Sequence, residues 1–218
     1  MHGGKMETDP KVYEYLSANL AGKSESVVER FSHRIAVFSD NPGILNIGEV
    51  QMKSKLWKYL DEAIENGITT IYTGLNFGGD SAAAELFADR KQQNSSIRIV
   101  HISHSQKWIQ ELDPHLKGFA VNTLIKNTDY TKTVKGSTPD QSGIIRDHFI
   151  IDQCLHLVFL MDMADSSEDS YSWQLFDYAT RSHKNSISHQ IHIISCTDVK
   201  PKQLTGKETG EPVQSPLF

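Results

Sequence analysis

The chain has 218 residues, 38% of them hydrophobic and 22% charged, and a formal net charge of −5. That is long enough for one domain with extensions and a substantial buried core. The acidic balance excludes the strongly basic surface of a general nucleic-acid binder. No apolar stretch approaches the roughly 20 residues of a membrane span. The segment Met1 to Pro10 is polar and carries no signal-peptide core. The expectation is a cytoplasmic protein with no membrane partner; the composition leaves homo-oligomerisation open. Cys154 and Cys196 sit in or beside apolar runs without metal-ligand spacing, the pattern of buried reduced thiols.

Residues 1–33 are expected as a polar start followed by a helical extension, since Pro10 to Leu20 and Ser24 to Ser32 carry helical spacing. The first strand is predicted at Arg34 to Ser39, closed by the turn residues Asp40, Asn41, Pro42 and Gly43. From Glu49 to Asn66, Val50, Leu56, Leu60, Ala63 and Ile64 recur at helical spacing, and Gly67 stops the helix. A strand over Thr69 to Thr73 runs into the glycine-rich turn Gly74-Leu75-Asn76-Phe77-Gly78-Gly79, and an alanine-rich helix continues through about Lys91. Next come a strand at Ile97 to Ile102 and a helix from Ser105 to Leu116. Residues 119–142, rich in Thr, Asn, Asp and Lys, read as a long surface loop. Helix Gly143 to Gln153, strand Leu155 to Met161, helix Ser170 to Lys184 and strand Gln190 to Ser195 follow. The run 155–161 is apolar almost without interruption, as a strand covered on both faces is. Alternating strands and helices imply an α/β fold: a doubly wound, mainly parallel sheet with helices on both faces and ligands at the carboxyl ends of its strands. The expected domain is 34–197, followed by a polar, flexible tail over 198–218.

The glycine turn carries the most chemistry. Gly74 permits a tight turn, while Gly78 and Gly79 let backbone N–H groups approach a ligand with no Cβ between. Asp80 is placed to cap the helix starting at Ser81 or to meet a sugar hydroxyl. Helix-entry packing would explain the same glycines. Ser39 and Asp40 end the first strand where the crevice of such folds lies. Arg146 is either a phosphate partner or an ion-paired arginine. The expected ligand-binding set is therefore Ser39, Gly74, Asn76, Gly78, Gly79, Asp80 and Arg146. Asp80 and Glu85 are the carboxylates available for N-glycosidic cleavage, although Glu85 also fits a solvated helix face. Tyr130, Lys132 and Lys135 in the long loop are placed to cover a phosphate. The histidines show no H-E-x-x-H or His/Cys ligand spacing, so no metal is expected. No Walker P-loop or Gly-x-Ser-x-Gly elbow is present, and no cofactor is named by the sequence.

Thr73-Gly74-Leu75-x-x-Gly78-x-Asp80-x-x-Ala83 resembles the S-G-x-x-x-G-x-D signature of the DNA-processing protein A (Smf) family. The segment Arg146-Asp147-His148-Phe149-Ile150-Ile151-Asp152, ahead of the apolar run 155–161, resembles that family's R-N-x-x-I segment. The same order occurs in YpsA-like and LONELY GUY-type members of the wider SLOG superfamily, and the resemblance covers about residues 34–195. It implies a Rossmann-like domain binding a nucleotide or nucleotide-derived ligand, in nucleic-acid processing or phage–host conflict. The alternatives it leaves are a nucleotide N-glycosidic hydrolase and a single-stranded DNA-binding protein. The P-G-G-x-G-T-x-x-E motif of the LONELY GUY phosphoribohydrolases is absent. The chain ends Gln214-Ser215-Pro216-Leu217-Phe218, which resembles the Q-x-x-L-F peptide that binds the bacterial sliding clamp, with Gln214, Leu217 and Phe218 at the matching positions.

Overall fold

The computed structural model describes residues 31–39, 49–76, 78–105, 125–134, 139–161, 170–181 and 189–195. Among these, six strands form one sheet: β1 (Arg34–Ser39), β2 (Thr70–Thr73), β3 (Arg98–Ser103), β4 (Tyr130–Thr133), β5 (His156–Leu160) and β6 (Gln190–Ile194). Four α-helices accompany them: α1 (Glu49–Glu65), α2 (Gly79–Gln93), α3 (Pro139–Gln153) and α4 (Tyr171–Arg181). The strand order is β4-β3-β2-β1-β5-β6 and each neighbouring pair is parallel. The chain therefore builds outward from β1 in one direction through β4, then crosses to the other side of β1 with β5. This reversal between β1 and β5 is where an α/β sheet opens a crevice. The fold is α/β and Rossmann-like, as expected.

Strands buried on both faces explain the near-continuous apolar sequence. Ile35, Val37, Ile71, Ile99, Val158 and Leu160 point to one side and pack with Met52, Leu56 and Leu60 of α1 and Ala83, Leu86 and Phe87 of α2. Their alternates Ala36, Phe38, Tyr72, Val100, Ile102, Leu157 and Phe159 face Ile150 and Ile151 of α3 and Leu175 and Ala179 of α4. Full burial of one such side chain stabilises by about 1.5–3 kcal/mol, and a residue-by-residue alternation of faces fixes the register.

Gly67 ends α1 with φ +100°. Its N–H bonds the Ile64 carbonyl and the Ile68 N–H bonds that of Ala63, both at 3.0 Å. This is the paired closure that only a left-handed residue completes easily. The α1–α2 contact is stitched by the Arg90–Asp61 pair, with Nε–Oδ1 2.6 Å and Nη2–Oδ2 2.7 Å, and by the Trp57 indole N–H on the Ala82 carbonyl.

Two expectations are corrected. The loop anticipated over 119–142 contains a short 3₁₀ turn, Ile125–Asn127, and the edge strand β4, and α3 begins at Pro139 rather than Gly143. Tyr130–Thr133 has no apolar alternation because it lies half-exposed at the sheet edge. Its conformation comes from pairing with β3, Val100 opposite Tyr130 through Ser103 opposite Thr133. Asp129 anchors the entry, bonding the Ile99 N–H through its carboxylate and the Ile99 carbonyl through its own N–H. Lys132 thus sits in a strand, with its ammonium 4.3 Å from the Phe149 ring centre. The expected extension before Phe31, the helix over 106–116, Lys135, Asp40, Cys196 and the tail with Gln214, Leu217 and Phe218 lie outside the described residues.

Candidate functional site at the carboxyl end of the sheet

Ser39 ends β1 opposite Leu160, the last residue of β5, and Thr73 ends β2 opposite His101. The turn that follows β2 brings the first residues of α2 back over these strand ends. The Gly79 N–H donates to Ser39 Oγ at 3.1 Å, fastening the start of α2 to the end of β1. A Cβ at position 79 would lie 2.3 Å from Leu160 Cδ1 and 3.3 Å from Ser39 Cβ. A side chain at 79 would press on the buried Leu160, which would have to shift to admit it.

Asp80 is corrected as a cap. Gly78, with φ +104°, occupies the N-cap position and α2 has no side-chain cap. The Asp80 carboxylate turns back into the loop instead. It accepts from Thr73 Oγ1 at 2.5 Å, Gly74 N–H at 3.1 Å and Asn76 N–H at 2.9 Å. Thr73 Oγ1 in turn accepts the Leu75 N–H at 2.9 Å, and the Asn76 carbonyl accepts both the N–H and the hydroxyl of Ser81. These bonds hold Leu75 in the left-handed region at φ +52°, which costs about 1–2 kcal/mol for a residue with a Cβ. The Leu75 side chain is buried. The described residues of the turn are thus held by a network of their own hydrogen bonds.

Beneath it lies Arg146, from α3, 4% exposed. Its Nε and Nη2 reach the two carboxylate oxygens of Asp147 at 2.6 and 2.9 Å, and Nη1 lies 3.3 Å from His104 Nδ1. A Cβ on Gly74 would sit 2.8 Å from Arg146 Nε and 2.9 Å from Cζ. The loop backbone therefore rests on the guanidinium itself. Tyr171, the first residue of α4, donates its hydroxyl to Asp147 Oδ2 at 2.7 Å.

Burial sets the electrostatics here. It drives the Asp80 carboxyl up to about 7, with the Thr73 and Asn76 hydrogen bonds and Arg146 pulling back and Asp147 adding to the rise. Burial, then Arg146 and His104, lower His101 to about 3, so its ring is neutral at physiological pH. For Arg146, burial favours the neutral form, but Asp147, Tyr171 and Asp80 outweigh it and the net shift is upward. The guanidinium stays charged and is matched by Asp147.

The structure thus brings Ser39, Gly74, Asn76, Gly79, Asp80 and Arg146 to one end of the sheet, with Gly78 at the start of α2. Of the backbone N–H groups expected to face a phosphate, at Gly78, Gly79 and Asp80, that of Gly79 is given to Ser39. Those of Gly74 and Asn76 are given to Asp80. The Arg146 guanidinium is an ion-paired floor to the loop. Glu85 is not among these side chains; it pairs with Lys53 Nζ of α1 at 2.7 Å. Both Asp80 oxygens are engaged and the residue is 4% exposed, the arrangement of a strap between loop and helix. Sequence reading passed over Thr73 and Asp147 as actors, although both stand inside the quoted motifs, and gave no role to Tyr171. Among the described residues no group of His, Cys, Asp and Glu has the arrangement of a metal site, and no helix is long and apolar enough to cross a membrane.

No protein-family model and no curated protein matches the chain. Among solved structures, the X-ray structure of DNA processing protein A from Streptococcus pneumoniae is similar at 14% identity with a TM-score of 0.44. The similarity covers 73% of this chain and 49% of that one, so the chain spans about half the length of that protein. The Rossmann-like fold rests on the six-stranded parallel sheet itself.

Proposed function

We propose that this end of the sheet binds a nucleotide or nucleotide-derived small molecule. The observation that carries the reading is the hydrogen-bonded turn after β2, described at 73–76 and 78–80, at the β1/β5 reversal, held by Asp80 from within and fastened to Ser39. A turn already ordered before binding loses little conformational entropy when a ligand arrives. Ser39 Oγ, having accepted from Gly79, still has its own hydrogen to donate. Asn76 serves the strap through its backbone N–H and carbonyl, which leaves its amide group for recognition of a ligand's polar edge. Arg146 is matched by Asp147, so the ligand is held by hydrogen bonds and backbone dipoles more than by net positive charge. Affinity should accordingly fall only weakly with salt, unlike the steep dependence of a protein that neutralises a DNA backbone.

Two measurements test this. Native mass spectrometry of freshly purified protein is expected to show a co-purified mass in the nucleotide range, or binding of added nucleoside monophosphates. Asn76→Ala, which keeps the strap, is expected to weaken that binding about tenfold or more, roughly the value of one lost directional contact in a closed site. Its Tm should stay that of the wild type. Binding undiminished in the alanine variant, or no nucleotide bound by the wild type, refutes the assignment. Single-stranded DNA affinity with a steep salt slope would instead support a DNA-binding role.

A further inference from the structure

Tyr171 combines surface exposure with a tie to a buried group. Its hydroxyl lies 2.7 Å from the carboxylate of Asp147, which is itself buried and clamped by Arg146. Yet the residue is 37% exposed, one of the two large hydrophobic side chains so exposed among the described residues. Burial, and then the Asp147 carboxylate, push the phenol well above its ordinary pKa, so the hydroxyl keeps its proton and its bond to Asp147. A fixed hydroxyl on a fixed carboxylate leaves the ring little freedom.

Topology supplies a second, independent reason for its position. β5 runs toward Leu160 at the carboxyl end of the sheet and β6 is parallel to it. The intervening helix α4 must return antiparallel, so its first residue, Tyr171, lies at the same end as Ser39 and the 73–80 turn. Ser170 Oγ accepts the Trp173 N–H at 3.2 Å and fixes where that helix begins. The chain of contacts Tyr171–Asp147–Arg146–Gly74 then ties the exposed ring to the proposed site.

We propose that the Tyr171 ring is the platform on which the planar base of the bound nucleotide stacks. This rests on the nucleotide reading above and adds a specific requirement: the ligand must carry an aromatic ring. Stacking of one base on one aromatic side chain corresponds to a factor of about ten or more in affinity. The hydroxyl's bond to Asp147 orients the ring, and Asp147 in turn holds Arg146 against the loop.

The test is calorimetric titration of AMP, GMP, CMP, UMP and ribose 5-phosphate against wild type, Tyr171→Leu and Tyr171→Phe, with Tm measured for each. The wild type is expected to bind its best nucleotide at least about tenfold tighter than ribose 5-phosphate. Tyr171→Leu should bring the nucleotide down to the ribose 5-phosphate level while leaving ribose 5-phosphate unchanged. Tyr171→Phe should keep the preference, because the ring remains. A leucine variant that retains the preference overturns the platform, and so does a phenylalanine variant that loses it as fully as leucine. Equal wild-type affinity for nucleotide and ribose 5-phosphate also overturns the platform but leaves the nucleotide site standing. Binding of neither by the wild type overturns both.

Discussion

Replacing Gly74 by alanine puts a methyl group against the Arg146 guanidinium. The new Cβ would lie 2.8 Å from Nε, 2.9 Å from Cζ and 3.2 Å from Nη1. Ordinary contacts between such atoms are about 3.5 Å or more, so one side has to move by more than half an ångström. Gly74 is not among the positive-φ glycines, hence the cost is steric and not conformational. Arg146 is buried and its short bonds to Asp147, 2.6 and 2.9 Å, would be stretched by any retreat. Overpacking a core costs about 1–3 kcal/mol and breaking a buried ion pair about 3–5. Partial displacement should therefore destabilise by about 2–4 kcal/mol. Urea unfolding reads this as a lower midpoint at unchanged slope. A double-mutant cycle isolates the cause: with Arg146→Ala already present, Gly74→Ala should cost nothing, or stabilise by about 0.4–1 kcal/mol through the less flexible unfolded chain. Equal destabilisation in both backgrounds, or a wild-type midpoint for Gly74→Ala alone, would refute the reasoning.

Asp80 and His101, both buried, make opposite demands on pH. Asp80 is raised from 3.8 to about 7, so the folded state holds its proton more tightly than the unfolded one. That contribution, on the order of 4 kcal/mol for a shift of this size, is present below pH about 4 and is lost as pH rises through about 7. His101, lowered from 6.5 to about 3, contributes stability that is present above its ordinary value and lost as pH falls toward 3. Between pH 4 and 7.5 the wild type should therefore lose stability relative to Asp80→Asn as pH rises; a difference that stays flat across this range contradicts the burial account of Asp80. At the other end of the chain, a peptide ending Gln214-Ser215-Pro216-Leu217-Phe218 is expected to bind a bacterial sliding clamp and Phe218→Ala to abolish the binding; no measurable binding of the wild-type peptide ends that reading.

By itself, the sequence determined the alternation of elements and the face of burial. The apolar runs of β1, β2, β3 and β5, the helical spacing ending at Gly67 and the glycine turn after β2 are local signals, because burial on both faces, helix closure and tight turns each demand particular residues within a few positions. Tertiary structure alone decided β4, whose four half-exposed residues become a strand only because β3 offers them a ladder. It also decided what the motif residues do. Gly79 lies against Leu160 and Gly74 against Arg146, so a Cβ at either forces a shift, and Asp80 faces Thr73 and the loop N–H groups instead of capping its own helix. From sequence Arg146 reads as either phosphate partner or ion-paired residue; only the structure shows its bidentate contact with Asp147 and the Tyr171 hydroxyl on that carboxylate. These are contacts between side chains brought together by the sheet's strand order, and periodicity along a chain carries no information about which distant residue will stand opposite.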